Sequence, residues 1–201
     1  MKEKILVFAR APVAGRCKTR LIPAYGPRGA ARLHRRLVEK TLSIACASGA
    51  IVELWCAPDA RHGFFHACRR RYGVALKRQA LGDLGRKMAL ALRDALQGAT
   101  QVVIVGTDCA VLSAQDLRAA LAALVTHDAV LQPATDGGYV LIGARLSAPS
   151  ALRGVDWSSG CECRQTLTRL ARRQLAVAQQ PARWDVDHPR DVRKAKALGL
   201  I

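Results

Sequence analysis

Along this chain, short apolar runs alternate with longer stretches in which apolar positions recur every three to four residues. The runs at 4–9, 51–57, 74–77, 101–106, 129–133, 139–143 and 175–179 are short, and most are rich in Val, Ile and Leu, which predicts seven strands. Residues 27–48 carry Leu33, Leu37, Thr41 and Ile44 along one helical face. Further helices are predicted over 59–71, 84–96 and 164–173. Ser113 with Asp116 three positions on is a capping signature ahead of Leu117, Leu121 and Leu124, so a helix starts there. A last helix is predicted from Pro189 to about Leu198, with Asp187 as its N-cap and Gly199 just past its end. Strands alternating with helices of this length imply βαβ units. The expectation is one Rossmann-like α/β domain over residues 1–201, a three-layer αβα with a mainly parallel, mixed sheet.

Composition changes this picture little. Half of the 201 residues are apolar, but only 4% are aromatic, so the core must rest on Leu, Val, Ile and Ala. The longest apolar runs fall far short of the ~20 residues a membrane helix needs. The start, "MKEKILVFARAP", is too short in its apolar part for a signal peptide and reads as a first strand. Seven cysteines, an odd number without CxxC spacing, read as reduced thiols in a cytoplasm. Cys161 and Cys163 lack the second Cys/His pair that a metal site would need.

Charge raises a question that composition alone does not answer. The chain has 32 Lys and Arg against 15 Asp and Glu, a formal net charge of +17. That balance suggests a nucleic-acid partner, and a basic binding or regulatory domain without catalysis is the rival reading. Much of the charge, however, is arginine spread along helical faces, as at Arg32, Arg35 and Arg36 or Arg69, Arg70 and Arg71. Aromatic platforms are missing among these residues, which argues for a solvated surface and against nucleic acid.

In open parallel sheets ligands bind outside the carboxyl ends of the strands, so the strand ends carry the search for function. The loop "RAPVAGRCKTRL" after the first strand gathers Arg10, Arg16, Lys18 and Arg20 around Gly15. It is not a Walker A motif, because only two residues separate Gly15 from Lys18. Glycine still lets backbone N–H groups approach an anion, and arginine offers phosphate a bidentate fork. The buried run "QVVIVGTDC" stops at Asp108, where a nucleotide-bound Mg²⁺ would take an oxygen ligand. Asp136, Gly137 and Gly138 form a turn signal between two strands, and also a bare backbone surface against which a sugar or base could lie. In "RWDVDHPRDV", Asp187 has a capping role and Asp191 suits the helix dipole, whereas Asp185 has neither; one of the pair Asp185 and Asp187 could reach the same metal as Asp108.

Together these stretches resemble the DUF2064 group of small bacterial proteins, often labelled glycosyltransferases and placed in the nucleotide-diphospho-sugar transferase (GT-A) superfamily. The matching segments are "FARAPVAGRCKTRL" (8–21), "QALGDLGRKM" (79–88), "GTDC" (106–109), "DGGYVLIG" (136–143), "VDWSSG" (155–160) and "WDVDHPRDV" (184–192). The first two also resemble the guanylyltransferase of coenzyme F420 assembly and, more distantly, the molybdenum-cofactor nucleotidyltransferases. The family usually continues "GTDCP"; Ala110 stands where that proline belongs, which relaxes the backbone after Asp108 but removes no ligand.

The resemblance implies a nucleotide bound over the first strand ends. Arg10, Gly15, Lys18 and Arg20 would contact its phosphates, and Gly82, Asp83 and Gly85 would help form its pocket. Asp108, with Asp187 as second ligand, would hold Mg²⁺ or Mn²⁺. Asp136, Gly137, Gly138 and Tyr139 would face a small-molecule acceptor, with Asp108, Lys18 and Asp136 the catalytic residues. The implied reaction is transfer from a nucleotide sugar, with nucleotidyl transfer from a nucleoside triphosphate as the alternative.

Overall fold

The computed structural model describes residues 2–145, 148–157 and 159–201. Seven strands form one sheet: β1 (Glu3–Arg10), β2 (Ile51–Ala57), β3 (Ala75–Arg78), β4 (Gln101–Val105), β5 (Ala129–Pro133), β6 (Tyr139–Ala144) and β7 (Val177–Gln179). Their order is β3-β2-β1-β4-β6-β5-β7, and every pairing is parallel except those of β6 with β4 and β5. Six α-helices connect them: α1 (Ile22–Cys46), α2 (Gly63–Tyr72), α3 (Leu84–Leu96), α4 (Ala114–Ala123), α5 (Glu162–Ala171) and α6 (Pro189–Ala197). The expected αβα architecture with a mixed sheet is what the chain adopts.

All five residues of β4 are buried, as a strand covered on both faces requires. One sheet face packs Val38, Leu42, Phe65, Leu117 and Leu121 of α1, α2 and α4 onto Ile5, Val7 and Val103. The other packs Met88, Leu92 and Leu170 of α3 and α5 onto Leu6, Ile104 and Ile142. A smaller cluster joins Leu21 and Leu37 to Val186 and Val192, tying α6 to the start of α1. No helix among the described residues is long and apolar enough to cross a membrane, and all seven cysteines are free.

Among the helix boundaries that differ from expectation, two have local causes. The break at Gly26, with φ 65° and ψ 164°, separates a short lead-in from the main body of α1, whose start at Pro27 agrees with the sequence pattern. The N-cap of α6 is His188 rather than Asp187. Asp191 Oδ2 accepts from the backbone N–H groups of Asp187 and His188, and the Asp187 carboxylate is thereby left for other partners.

Register decides what the sheet brings together. Val7 pairs with Val105, so β1 runs three residues beyond the end of β4, and Arg10 pairs with Ala57 at the end of β2. Because β6 is antiparallel, its beginning at Tyr139 lies at this same edge, with Leu141 opposite Val105. The segment after β7 returns along it too: Ala134 bridges Arg183, and the Val186 N–H donates to the Asp108 carbonyl at 2.9 Å. Four loops far apart in sequence therefore meet at one sheet edge.

Candidate active site

At that edge an ionic knot forms around Lys18. Its ammonium lies 2.8 Å from Asp108 Oδ1 and 2.9 Å from Asp187 Oδ1, and donates to the Val186 carbonyl at 2.7 Å. The Lys18 side chain is only 5% exposed, whereas Asp108 and Asp187 keep 45% and 31% of theirs. Burial alone would lower the lysine pKa; the charges of Asp108 and Asp187 outweigh it and hold the ammonium above its usual range. Lys18 also has a left-handed backbone, φ 47° and ψ 45°, uncommon outside glycine. Strain of this kind persists only where surrounding contacts hold it, and here three contacts to the side chain do so.

Arg20 Nη1 reaches Asp187 Oδ2 at 3.5 Å from a largely exposed position. Asp185, two residues earlier, is partly buried and lacks any ion pair among the described residues. Burial pushes its pKa up to about 7, with the charges of Asp108 and Asp187 adding to the effect. Three carboxylates thus share one buried lysine and one exposed arginine, and Asp185 is the least compensated.

Two cavities are lined by neighbours of these residues in the chain, though not by Lys18, Asp108 or Asp187 themselves. The first, about 660 Å³, is lined by Arg10, Arg16, Arg61, Gln79, Gly82 and Lys87 among others. Gln79 is buried and fixed by donating to the Trp55 carbonyl at 2.8 Å. The second, about 530 Å³, lies over the α3 face of the sheet, with Phe8, Met88, Ile142 and Trp157 in its wall and Arg20, Asp136 and Asp185 at polar positions.

The sequence-expected residues divide among these places. Arg10 and Gly82 line the first cavity, and Arg20, Asp136, Gly138 and Tyr139 the second. Lys18, Asp108 and Asp187 meet in the knot. Gly15, with φ 80°, is exposed in the turn closed by the Arg16 N–H donating to the Val13 carbonyl. Asp83 caps α3, its Oδ1 accepting from the Arg86 N–H at 2.7 Å. Asp136 Oδ1 similarly accepts from the Gly138 N–H at 3.0 Å, a turn that aims its carboxyl group toward the cavity it lines. The expected motif at 155–160 includes Ser158, which lies outside the described residues.

Gly85 and Gly137 are glycines because of close approach. A Cβ on Gly85 would run into the Leu152 carbonyl and the Trp157 indole, and one on Gly137 into the Gly160 backbone. Gly85→Ala is expected to displace α3 from Trp157 and cost about 1–3 kcal/mol, measured by denaturant unfolding. The same change should alter Trp157 fluorescence, and a midpoint unchanged from wild type would show that the helix shifts freely.

Other contributors carry little signal in sequence. Asp116 is both the capping partner of Ser113 and the anchor of the segment that delivers Asp185 and Asp187: its Oδ1 accepts from Arg183 at 2.7 Å and from Gln132 at 3.2 Å. Burial would raise its pKa, but hydrogen bonds from Ser113, Arg183 and Gln132 prevail and hold the carboxyl below its usual range. Lys87 and Arg61 reach the first cavity from a helix and a loop whose positions only the fold sets. Trp157 stands 6.1 Å from Tyr139, ring centre to ring centre, in an edge-on arrangement.

A family model described as an uncharacterized protein conserved in bacteria, DUF2064, matches residues 41–159, more than half of the chain. The protein belongs to that family. A solved structure from Desulfovibrio desulfuricans G20, assigned provisionally as a nucleotide-diphospho-sugar transferase, is 28% identical, with 98% of this chain and 97% of that one covered at a TM-score of 0.87. The 4-diphosphocytidyl-2C-methyl-D-erythritol synthase of Anaerococcus prevotii shares the fold at 10% identity and a TM-score of 0.69, over 100% and 99% of the chains. Rv0371c of Mycobacterium tuberculosis H37Rv, solved in complex with manganese, does so at 16% identity and 0.59, over 96% and 97%. No curated protein matches the chain.

Proposed function

We propose that this protein is a nucleotide-dependent transferase that moves a glycosyl group from a nucleotide-sugar donor to a small acceptor. The observation that carries the reading is that the chain segments bearing the Lys18–Asp108–Asp187 knot also line two cavities, Arg10 and Arg16 a cation-rich one and Arg20 and Asp185 an acid-bearing one. The 28% identical relative, assigned to nucleotide-diphospho-sugar transferases, supports it.

In this reading the nucleotide occupies the first cavity. Arg10, Arg16 and Lys87 neutralise its diphosphate, and Gln79 and Gly82 border the base and ribose. The acceptor occupies the second cavity. Its hydroxyl oxygen bonds to the transferred sugar carbon while the bond from that carbon to the diphosphate breaks. The electron pair leaves with the nucleoside diphosphate, and the hydroxyl proton passes to the Asp136 carboxylate. Fixed cations lower the barrier because they meet charge that grows on the leaving group.

The donor set also fits a divalent ion. Asp108 and Asp185 are hard oxygen donors, and burial first, then the charges of Asp108 and Asp187, raises the Asp185 pKa. Both Asp187 oxygens are engaged, Oδ1 by Lys18 and Oδ2 by Arg20, whereas Lys18 meets Asp108 through Oδ1 alone, so Asp185 is the better partner for Asp108. Among the described residues no cluster of three or more metal-ligating side chains is present, and an ion held by two carboxylates completes its shell with phosphate oxygens and water. Such an ion would supply further charge neutralisation at the diphosphate.

Nucleotidyl transfer is the second reading, favoured by one observation: four cationic residues, Arg10, Arg16, Arg61 and Lys87, in one cavity are enough for a triphosphate. Thermal shift with nucleoside triphosphates and nucleotide sugars, each with and without Mg²⁺ or Mn²⁺, tests both. Stabilisation by a nucleotide sugar, with release of nucleoside diphosphate on adding acceptors, supports the first. Pyrophosphate release from a triphosphate supports the second. No response to any nucleotide, together with salt-dependent binding of DNA or RNA, would overturn both in favour of the basic binding domain.

A further inference from the structure

The two cavities differ sharply in charge. The first holds Arg10, Arg16, Arg61 and Lys87 against the single acid Asp59, whose Oδ1 accepts from the Arg61 backbone N–H. The second has Asp136 and Asp185 at polar positions together with Arg20, and Glu162 also lines it. The charge of Arg20 is already shared with Asp187, and its side chain is 68% exposed. Apart from the buried Tyr139 hydroxyl and Trp157 indole N–H, the side chains lining the rest of the second cavity are apolar. Phe8, Leu84, Met88, Ile142, Tyr139 and Trp157 extend the core face beneath α3 to its opening, and Leu84 is 45% exposed there.

With no cation on Asp185, a phosphomonoester entering this space would bring two negative charges toward Asp136 and Asp185 and lose its hydration against aromatic rings. An uncharged hydroxyl or an ammonium would instead donate to those carboxylates, and an apolar body would replace water over the rings. Resting on the transferase reading above, we propose that the acceptor is a compact amphiphile, an aromatic or branched-aliphatic alcohol or amino alcohol, and that the cavity discriminates against phosphorylated acceptors. A volume of about 530 Å³ suits a body of one or two rings.

The probes are phenethyl alcohol, phenethylamine, phenyl phosphate and glycerol 3-phosphate. Binding is read as the change in Trp157 fluorescence, taken as the difference between the protein and Trp157→Phe so that occupancy of the cationic cavity does not contribute. Titrations run with and without Mg²⁺. The alcohol and the amine are expected to bind at least tenfold more tightly than phenyl phosphate, and glycerol 3-phosphate should give no Trp157 signal. Asp136→Asn should narrow the gap between amine and phosphate. Leu84→Ala, at a half-exposed position that tolerates truncation, should weaken the aromatic probes by about threefold or more.

Phenyl phosphate binding as tightly as the alcohol, or glycerol 3-phosphate binding as tightly as either, overturns the inference. Nucleotide stabilisation in the same preparation separates the two claims. Nucleotide binding without probe binding defeats this inference and leaves the transferase reading intact. Probe binding with the expected order but no nucleotide binding defeats the transferase reading and keeps the cavity's preference.

Discussion

Lys18→Ala is expected to lower the stability of the protein by about 2–4 kcal/mol, and its Tm by roughly 5–15 °C. Removing one partner of a buried charge pair leaves the other uncompensated, and here the loss strands Asp108 and Asp187 beside Asp185. Because Asp108 and Asp187 are partly exposed, the cost falls below that of a fully buried pair. The deficit should shrink as pH falls from 8 through 7 toward 4, since protonating Asp185 removes part of the repulsion the lysine was cancelling. In the wild type the raised Lys18 pKa means that the lysine's stabilisation is complete below its unfolded value, near 10.5, and is lost only above it. Lys18→Gly should be less damaging than Lys18→Ala by up to about 1 kcal/mol, because glycine takes the left-handed backbone without strain. Denaturant unfolding at pH 4 and pH 8 measures all three proteins. A variant equal in stability to wild type at pH 8 would mean that the knot does not hold the loop.

That role for Lys18 explains how far the sequence could be read. All seven strands lie within two residues of their expected positions, because continuous apolar runs bounded by turn residues leave little choice of period. The expected helix at 84–96 coincides with α3, whose ends are written locally by the Asp83 cap and the apolar spacing of Met88, Leu92 and Ala95. Errors fall where two local rules compete. Asp187 and His188 can both precede Pro189; the Asp191 carboxylate, accepting from the backbone N–H groups of both, leaves His188 as the cap and the Asp187 side chain to meet Lys18, 169 positions away in the chain. At α2 the helix begins at Gly63 rather than residue 59, since Asp59 folds back on the Arg61 N–H and His62 takes the cap.

The candidate site was legible in kind, and its assignments of partner were not. Basic residues after β1 and an acid after β4 point to the sheet edge because a parallel sheet gathers its carboxyl ends there. Periodicity holds nothing that says whether Lys18 faces a ligand or two carboxylates. Nor does it say that Gly85 and Gly137 are set by close packing against Trp157 and Gly160. Those facts depend on the antiparallel β6 and on the return of residues 183–187, both of which are tertiary. Asp185 is the clearest case: the sequence marks it only by the lack of a capping role, and the fold turns it into the least compensated carboxylate of the three.

Asp108→Asn is expected to cut transferase activity at least 100-fold while leaving the fold in place, and its effect on Asp185 provides a second readout independent of substrate. Lys18 keeps Asp187 and the Val186 carbonyl as partners in this variant, so the loop stays anchored and Tm should move by only a few degrees. Activity falls because the asparagine amide replaces the anionic oxygen that, with Asp185, would hold a divalent ion against the leaving diphosphate. The pH readout follows from the raised Asp185 pKa. With a folded value near 7 against 3.8 in the unfolded chain, the folded protein holds the extra proton between those limits. Its contribution to stability is therefore present at low pH and is lost as pH rises from about 4 through 7. Halved for partial exposure, the shift corresponds to about 2 kcal/mol. Asp185→Asn should remove that loss and be more stable than wild type at pH 8, and Asp108→Asn should remove part of it, since after burial the Asp108 charge has the largest effect on Asp185. Unfolding curves from pH 4 to 8 for the three proteins test the coupling. If Asp108→Asn leaves the pH slope of wild type unchanged, the two carboxylates do not share a site, and the pairing proposed for them fails along with the ion they would hold.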